Sequence, residues 1–463
     1  MFDKDNILTS PRAIALDTNA YEPLRLVLED PHKSRWTKLL VTTLVCFGLI
    51  LFGGAVIWGW AYPTQKNNPG FWHISMISLL FWIGVCQGMV ALSALLRVTH
   101  ASWRYPLNRM LDMASLFGLW APLLLPLLIL AHNRIYALGA HQYIDNVWRI
   151  PHPLLWDNLA VGTAFLAGWM QLYLTSLPDF AMLRDRAPVG SKEKRFYGRV
   201  CLNWVGAEHQ WRVLRRAEGI LVIGILMSFV GSQTALGWDF QLAAARNWDS
   251  SIFAPLFTLS SLLGAVALAV LVMTVAGRVL RGRGFFTEFQ YDSLGKLMVG
   301  LGLVWTYFRI CDFLTAWYGH IPDEWQLQQS RTVTFPILVG LMVFGCSFLP
   351  VFANLGPFFR KRPWSLCITS IFVLTGVVCQ RYLDTVPTFE PKYGLTPLLP
   401  AGPAILVFFS ITAMFVLTYL LAGRYFPLMS WWGTGKQRTR TAQRQMGNAT
   451  VTVMVEDPPL WET

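Results

Sequence analysis

Five ionisable side chains lie inside or at the ends of long apolar stretches of the sequence. They are Asp112, Asp157, Glu218, Arg309 and Asp312. A charged side chain at the centre of a lipid bilayer costs about 2.5–3.5 kcal/mol on insertion scales, so such residues are functional candidates if the stretches cross a membrane. A carboxylate in that setting can bind a ligand or transfer protons, and Arg309 and Asp312, three residues apart, can pair on one helix face.

Each of these residues except Asp112 also has a plain structural interpretation. Glu218 directly follows basic residues and an alanine, as an interfacial charge would. Asp157 stands next to an asparagine at the start of its apolar stretch and can cap a helix. Arg309 and Asp312 can form a neutralised structural pair. Asp112 lies one to two turns into its stretch, which makes a structural interpretation harder.

Two glutamines inside apolar stretches are further candidates. Gln87 lies near the centre of its stretch, and Gln233 lies near the end of another. A buried amide must find hydrogen-bond partners, because polar groups left unpaired in hydrocarbon are costly. Each glutamine therefore either joins two helices by a hydrogen bond or faces a ligand.

The histidines and cysteines predict no bound metal or haem. None of the eight histidines lies near the middle of an apolar stretch, where a b-type haem would need two facing axial ligands. None of the seven cysteines belongs to a C-x-x-C pair, which argues against a structural zinc site, an iron–sulfur cluster and c-type haem attachment.

The elements that position these residues are predicted to be transmembrane helices. The chain has 463 residues, of which 54% are hydrophobic and only 14% charged, and its mean hydropathy is +0.43. Soluble domains contain about 25% charged residues, so a soluble enzyme is excluded. Ten blocks have the length of about 20 residues that a spanning helix needs. They are 38–61, 72–97, 106–132, 154–178, 217–236, 252–277, 293–318, 332–355, 363–385 and 401–424.

The basic residues predict the orientation in the membrane. Of the 38 Lys and Arg residues, 30 lie in the N-terminal segment, the even-numbered loops, the C-terminal tail and the adjoining helix ends. By the positive-inside rule both termini are cytoplasmic. The predicted organisation is a cytoplasmic segment (1–37), a ten-helix membrane domain (38–424) and a cytoplasmic tail (425–463). The net charge of +12 is then a topology signal that also attracts anionic lipid, and no nucleic-acid partner is expected.

A series of short motifs runs in order along residues 60–320. The motifs are Asn67-Asn68-Pro69, Phe81-Trp82-Ile83-Gly84, Asn108-Arg109 with Asp112, Leu155-Trp156-Asp157, Leu177-Pro178-Asp179, Ser250-Ser251-Ile252-Phe253 and Asp312 followed by Ala316-Trp317-Tyr318. On these motifs the chain resembles the NrfD/PsrC-like integral membrane subunits, and most closely the ActC-type subunit of alternative complex III. The last three blocks match mainly by hydropathy and number.

The resemblance implies an all-α polytopic fold with ten transmembrane helices and two four-helix bundles, helices 2–5 and helices 6–9. It also implies a subunit of a respiratory or photosynthetic oxidoreductase in the bacterial inner membrane. Such a subunit carries no cofactor of its own and binds menaquinol or ubiquinol near the outer face. The implied partners are an iron–sulfur subunit that receives the electrons, c-type cytochrome subunits and a second NrfD-like membrane subunit.

The resemblance also assigns roles to single residues. Asp157 matches the family's quinol-site aspartate, with Trp156 beside it. Gln87 and Gln233 stand where the family has histidines, and the second of these precedes an aspartate that corresponds to Asp239. A glutamine can hydrogen-bond a quinone carbonyl but cannot accept the proton that an imidazole would take. Quinol binding is therefore expected at Asp157, Trp156, Gln87 and Gln233.

A proton path is the second expectation. Asp112 and Asp312 fall where the family has carboxylates in helices 3 and 7. Glu218 would connect the site with the cytoplasmic side, and Arg309 would serve the second bundle together with Asp312.

Two alternatives remain at the level of the sequence. The loss of both family histidines allows a structural or proton-conducting relative that does not oxidise quinol. A secondary transporter is the other alternative, since ten helices with buried charges allow it. Transporters often have matched Gly/Pro interruptions at mid-membrane in two halves of the chain, and the sequence shows no such pair.

Overall fold

The computed structural model describes most of the predicted membrane domain. The N-terminal segment (1–37) and the first apolar block (38–61) lie outside the described residues, apart from Gly48. The described residues are 48, 70–130, 153–187, 190–242, 250–279, 286, 288–388, 401–426, 439–446 and 449–456.

Helices occupy the second to tenth apolar blocks. They are α1 (Gly70–Val98), α2 (Tyr105–Met113), α3 (Ala121–Leu130), α4 (Pro153–Arg186), α5 (Lys192–Val200), α6 (Glu208–Phe240), α7 (Phe253–Val279), α8 (Glu288–Gly319), α9 (Pro322–Gln329), α10 (Pro336–Val343), α11 (Leu349–Leu355), α12 (Pro357–Arg360), α13 (Pro363–Thr385) and α14 (Ala401–Tyr425). Within the described part, six helical stretches are long and apolar enough to cross a membrane. The count of ten spans and the two bundles stay predictions.

Two of the predicted helices are interrupted. In the third block, a 3₁₀ stretch over Ala114–Leu119 separates α2 from α3. In the eighth block, a π-helical turn over Phe344–Phe348 joins α10 to α11. Glycines allow close contacts at both places. A Cβ on Gly118 would collide with the Phe165 side chain, and one on Gly345 would collide with the backbone of α13.

The core lies around α1 and α7. Helix α1 packs against α6, α7, α13 and α14, and α7 packs against α1, α6, α8 and α13. Of the most apolar part of each helix, 94% is buried in α1 and 72% in α7. In contrast, α6 and α8 expose large apolar side chains such as Met227 and Tyr307. Polar side chains between α1 and α7 are therefore shielded on all sides by other helices.

Two elements lie outside the apolar blocks. Helix α5, in the long basic loop, begins after Ser191, whose Oγ accepts a hydrogen bond from the Lys194 backbone N–H at 3.1 Å. The C-terminal tail contains the antiparallel strands β1 (Thr439–Met446) and β2 (Ala449–Glu456), which pair from Thr439↔Glu456 to Met446↔Ala449. Alternating Thr and Val in β2 favour a strand. The sequence analysis did not predict this hairpin, whereas the membrane domain is helical as expected.

Candidate functional site

The two buried glutamines meet directly. Gln87 of α1 and Gln233 of α6 are 3% and 0% exposed. The Gln233 Nε2 donates to Gln87 Oε1 at 2.7 Å, and Ser232 Oγ donates to the same oxygen at 2.5 Å. Both residues thus belong to one site, and their first role is the helix–helix hydrogen bond.

The hydrogen bonds continue from this pair across the protein. Ser261 of α7 donates from its Oγ to Gln233 Oε1 at 2.9 Å. Arg381 of α13 donates from Nη2 to Ser261 Oγ at 2.7 Å. We call Gln87, Ser232, Gln233, Ser261 and Arg381 the polar row. It joins α1, α6, α7 and α13 through the centre of the fold.

A pair of carboxyl groups lies near the Gln87 end of the polar row. The Gln87 Nε2 is 3.4 Å from the backbone oxygen of Val161, one turn along α4 from Asp157. Asp157 is 2% exposed and hydrogen-bonds to the carboxyl of Asp239 near the end of α6. We call Asp157 and Asp239 the carboxyl pair. Two neighbouring carboxyl groups disfavour double ionisation, which makes the pair a candidate to accept or release a proton.

One predicted site residue does not join this group. The Trp156 side chain is 59% exposed, whereas its neighbour Asp157 is buried. Consecutive residues on a helix point about 100° apart, so the two side chains lie on different faces of α4. Trp156 therefore lies on the outer surface of the chain, away from the polar row.

A second group of charges within the fold lies on α8, on the π-helical turn Ser330–Thr334 between α9 and α10, and on α13. Arg309 Nη1 is 3.5 Å from Asp312 Oδ2 and also 3.5 Å from Asp384 Oδ1. Arg331 Nη2 lies 3.9 Å from Asp384 Oδ1. We call Arg309, Asp312, Arg331 and Asp384 the ion cluster. Ser250 Oγ also donates to Asp312 Oδ1 at 3.1 Å. The predicted partners Arg309 and Asp312 are thus close, but Arg309 is shared with a second carboxylate.

Asp112, at the opposite end of the helices, has an arginine partner. Arg97 of α1 donates from Nη1 to Asp112 Oδ1 at 3.2 Å and from Nη2 to Oδ2 at 2.7 Å. Glu218 interacts electrostatically with the same arginine. A bidentate arginine contact is among the stronger hydrogen-bonding arrangements and holds the carboxylate in one orientation. The geometry favours a structural role for Asp112, while the proton path through Asp112 and Glu218 stays a prediction.

A second buried ion pair lies beside it. Arg109 Nη2 contacts Asp179 Oδ2 at 2.7 Å and the backbone oxygen of Thr175 at 2.7 Å. Both charged side chains are 1% exposed. We call the Arg97–Asp112 and Arg109–Asp179 pairs the basic-end pairs, because they lie at the end where the Lys and Arg residues concentrate.

Sequence reasoning did not single out several members of these groups, among them the charged residues Arg331, Arg381 and Asp384. Arg331 and Arg381 lie near the ends of apolar blocks, where an arginine ordinarily reaches the interface, yet they are 1% and 0% exposed. Asp384 was not singled out. Its position three residues after Arg381 is the same spacing that identified Arg309 and Asp312, so the signal was present. In the part of the chain that the structure describes, no group of three His, Cys, Asp or Glu side chains is placed to hold a metal ion.

A polar row, a carboxyl pair and an ion cluster inside apolar helices define an integral membrane protein with an intramembrane polar site. The sequence model of the family described as polysulphide reductase, NrfD, matches residues 63–385, which is more than half of the chain. The chain therefore belongs to the NrfD family. Members are membrane subunits of redox complexes that interact with quinones and partner with iron–sulfur subunits. A search of curated proteins finds no match to this chain.

Proposed function

We propose that this chain is the quinol-binding subunit of a quinol:acceptor oxidoreductase of the alternative-complex-III type in a bacterial inner membrane. The observation that carries the proposal is the carboxyl pair, whose buried member Asp157 lies one helical turn from Val161, the residue that the amide of Gln87 contacts. A quinol has two hydroxyl oxygens and an apolar ring. Such a ligand suits a buried, mostly apolar site with a few convergent polar groups.

The carboxyl pair is the proton acceptor in this proposal. Oxidation of a quinol to a quinone releases two electrons and two protons. The electrons pass to the iron–sulfur subunit of the complex. Gln87 and Gln233 have amide side chains that cannot accept protons, so the protons go to Asp157, one after the other, with release in between. Asp239 stabilises the transferred proton by its hydrogen bond to Asp157.

The proposed partners follow from the same assignment. They are an iron–sulfur subunit, c-type cytochrome subunits and a second NrfD-like membrane subunit. The exposed apolar faces of α6 and α8 support contact with lipid and with other membrane subunits. Purification in mild detergent with mass spectrometry of the co-purifying proteins tests this assembly. Recovery of the chain alone, without haem or iron, would remove the redox role and favour a transporter.

The substitution Asp157→Asn tests the site itself. It removes the proton acceptor but keeps size and polarity, so we expect quinol-dependent turnover of the assembled complex to fall about 100-fold or more. Asp185→Asn is the matched control, because Asp185 lies on the same helix, is half exposed and pairs with Arg184 at 2.8 Å. Unchanged turnover in Asp157→Asn would favour the relative that conducts protons or supports structure without oxidising quinol.

A further inference from the structure

The hydrogen bonds of the polar row run in one donor-to-acceptor direction, from Arg381 towards Gln87. A guanidinium group carries only hydrogen-bond donors. Arg381 Nη2 donates to Ser261 Oγ at 2.7 Å and to the backbone oxygen of Phe257 at 3.0 Å. Ser261 Oγ has two acceptors in reach, the backbone oxygen of Phe257 at 3.0 Å and Gln233 Oε1 at 2.9 Å. Because the Phe257 oxygen already accepts from Ser260 Oγ and Arg381 Nη2, the Ser261 proton points to Gln233 Oε1. Gln233 therefore receives a donor at its oxygen and must turn its NH₂ group towards Gln87.

The other end of the row fixes the same direction. The backbone oxygen of Val161 only accepts, and it faces the NH₂ group of Gln87 at 3.4 Å. The Gln87 Oε1 already accepts from Ser232 Oγ and from Gln233 Nε2. The orientation of an amide side chain is assigned from its hydrogen-bond partners. Here the donor-only group of Arg381 and the acceptor-only oxygen of Val161 require the same orientation of both glutamines. Gln87 therefore has no free acceptor, and its long contact to Val161 leaves an N–H that a ligand can use.

Arg381 is held firmly at the start of the row. Its guanidinium carbon lies 3.3 Å from the centre of the Phe257 ring, and the side chain is fully buried. Its backbone oxygen accepts from Gln241 Nε2 at 3.2 Å, which fixes this turn of α13. Arg381 belongs to the same helix as Asp384 of the ion cluster, one turn away. A residue of α13 thus orients amide side chains of α1 and α6.

We propose that Arg381 is a positioning residue that makes Gln87 an obligate hydrogen-bond donor to a ligand oxygen between Gln87 and Asp157. This inference rests on the proposed function and adds a preference to it. A quinone carbonyl accepts the Gln87 N–H, whereas the hydroxyl proton of a quinol finds no acceptor on Gln87 and can go only to Asp157. The site therefore binds the quinone form more tightly at Gln87, and only the carboxyl pair accepts protons.

The test uses the purified complex and a naphthoquinone with ¹³C-labelled carbonyl carbons, together with its reduced quinol. The substitution Ser261→Ala cuts the row by removing one oxygen atom. Ser260→Ala is the matched control, because Ser260 is equally buried but its Oγ donates only within α7, to Phe257 at 2.8 Å. Dissociation constants of both ligand forms and the infrared carbonyl band of the quinone are measured in each variant.

We expect Ser261→Ala to weaken quinone binding about five- to tenfold, the value of one hydrogen bond, with less than about twofold effect on the quinol. The carbonyl band should move towards that of the free quinone. Arg381→Met should behave in the same way, and Arg381→Lys should retain part of the preference because it keeps a donor. Ser260→Ala should resemble the wild type.

The outcomes separate this inference from the proposed function. If wild-type complex binds neither ligand form, both are overturned. If quinone binds but Ser261→Ala and Arg381→Met lower the affinity for both forms equally, or leave the carbonyl band unchanged, only the role of Arg381 is overturned.

Discussion

The buried carboxylates at the two ends of the membrane domain differ in their partners. In the basic-end pairs, Asp112 and Asp179 each contact an arginine at 2.7 Å. In the carboxyl pair, Asp157 meets another carboxyl group, and its Oδ2 has no hydrogen-bond partner among the described residues. The arginine partners stabilise ionised carboxylates, whereas a carboxyl partner stabilises a shared proton. Burial alone therefore does not identify a proton-transfer residue. Whether the partner is an arginine or another carboxyl group distinguishes a structural carboxylate from a candidate for proton transfer.

The ion cluster is intermediate between these two cases. Asp384 is fully buried and lies 3.5 Å and 3.9 Å from two arginines. These separations are longer than those of the basic-end pairs. We therefore expect substitutions in the ion cluster to lower the free energy of unfolding less than substitutions in the basic-end pairs.

The largest effect on stability is expected at the basic-end pairs. Arg109→Met leaves the Asp179 carboxylate buried without its arginine, so we expect the free energy of unfolding to fall by about 3–5 kcal/mol. The measurement is thermal unfolding of the purified complex. The double variant Arg109→Met/Asp179→Leu removes both charges and should recover most of the loss. Equal instability of the single and double variants would show that the pair itself contributes little.

A smaller effect is expected in the ion cluster. Asp384→Asn removes the carboxylate that Arg309 and Arg331 share, at longer distances than in the basic-end pairs. We expect a loss of about 1–3 kcal/mol in the free energy of unfolding, with the amide replacing part of the contact. A loss as large as that of Arg109→Met would place the ion cluster with the basic-end pairs.

The smallest effect is expected at Trp156. Its side chain is mostly exposed on the outer face of α4, so Trp156→Ala should change the free energy of unfolding by less than about 0.5 kcal/mol. Turnover with quinol should stay near the wild-type value. A marked rise in KM for quinol would instead place Trp156 in the binding site, as the sequence resemblance implies.

The sequence predicted the helices better than their interruptions. Blocks of about 20 apolar residues are a strong signal, and α13 begins and ends where its block does. The 3₁₀ stretch before α3 and the π turn before α11 coincide with close contacts of Gly118 and Gly345 to other helices. Such contacts join residues far apart in the chain, so hydropathy does not reveal them.

The sequence also predicted single site residues better than their connections. Gln87, Gln233 and Asp157 were each identified because a polar side chain in an apolar block needs a partner. Arg381 was not identified, since an arginine near a block boundary ordinarily reaches the interface. Only the packing of α13 against α7 shows that its guanidinium lies over Phe257, inside the fold.

The most direct test of the account is the redox-difference infrared spectrum of the complex with bound quinone. We predict a band of a protonated carboxyl group that changes when the quinone is reduced. This band should disappear in Asp157→Asn and persist in Asp112→Asn, because Asp157 has a carboxyl partner whereas Asp112 has an arginine partner. A band that persists in Asp157→Asn and disappears in Asp112→Asn would contradict the account and place proton transfer at the basic end.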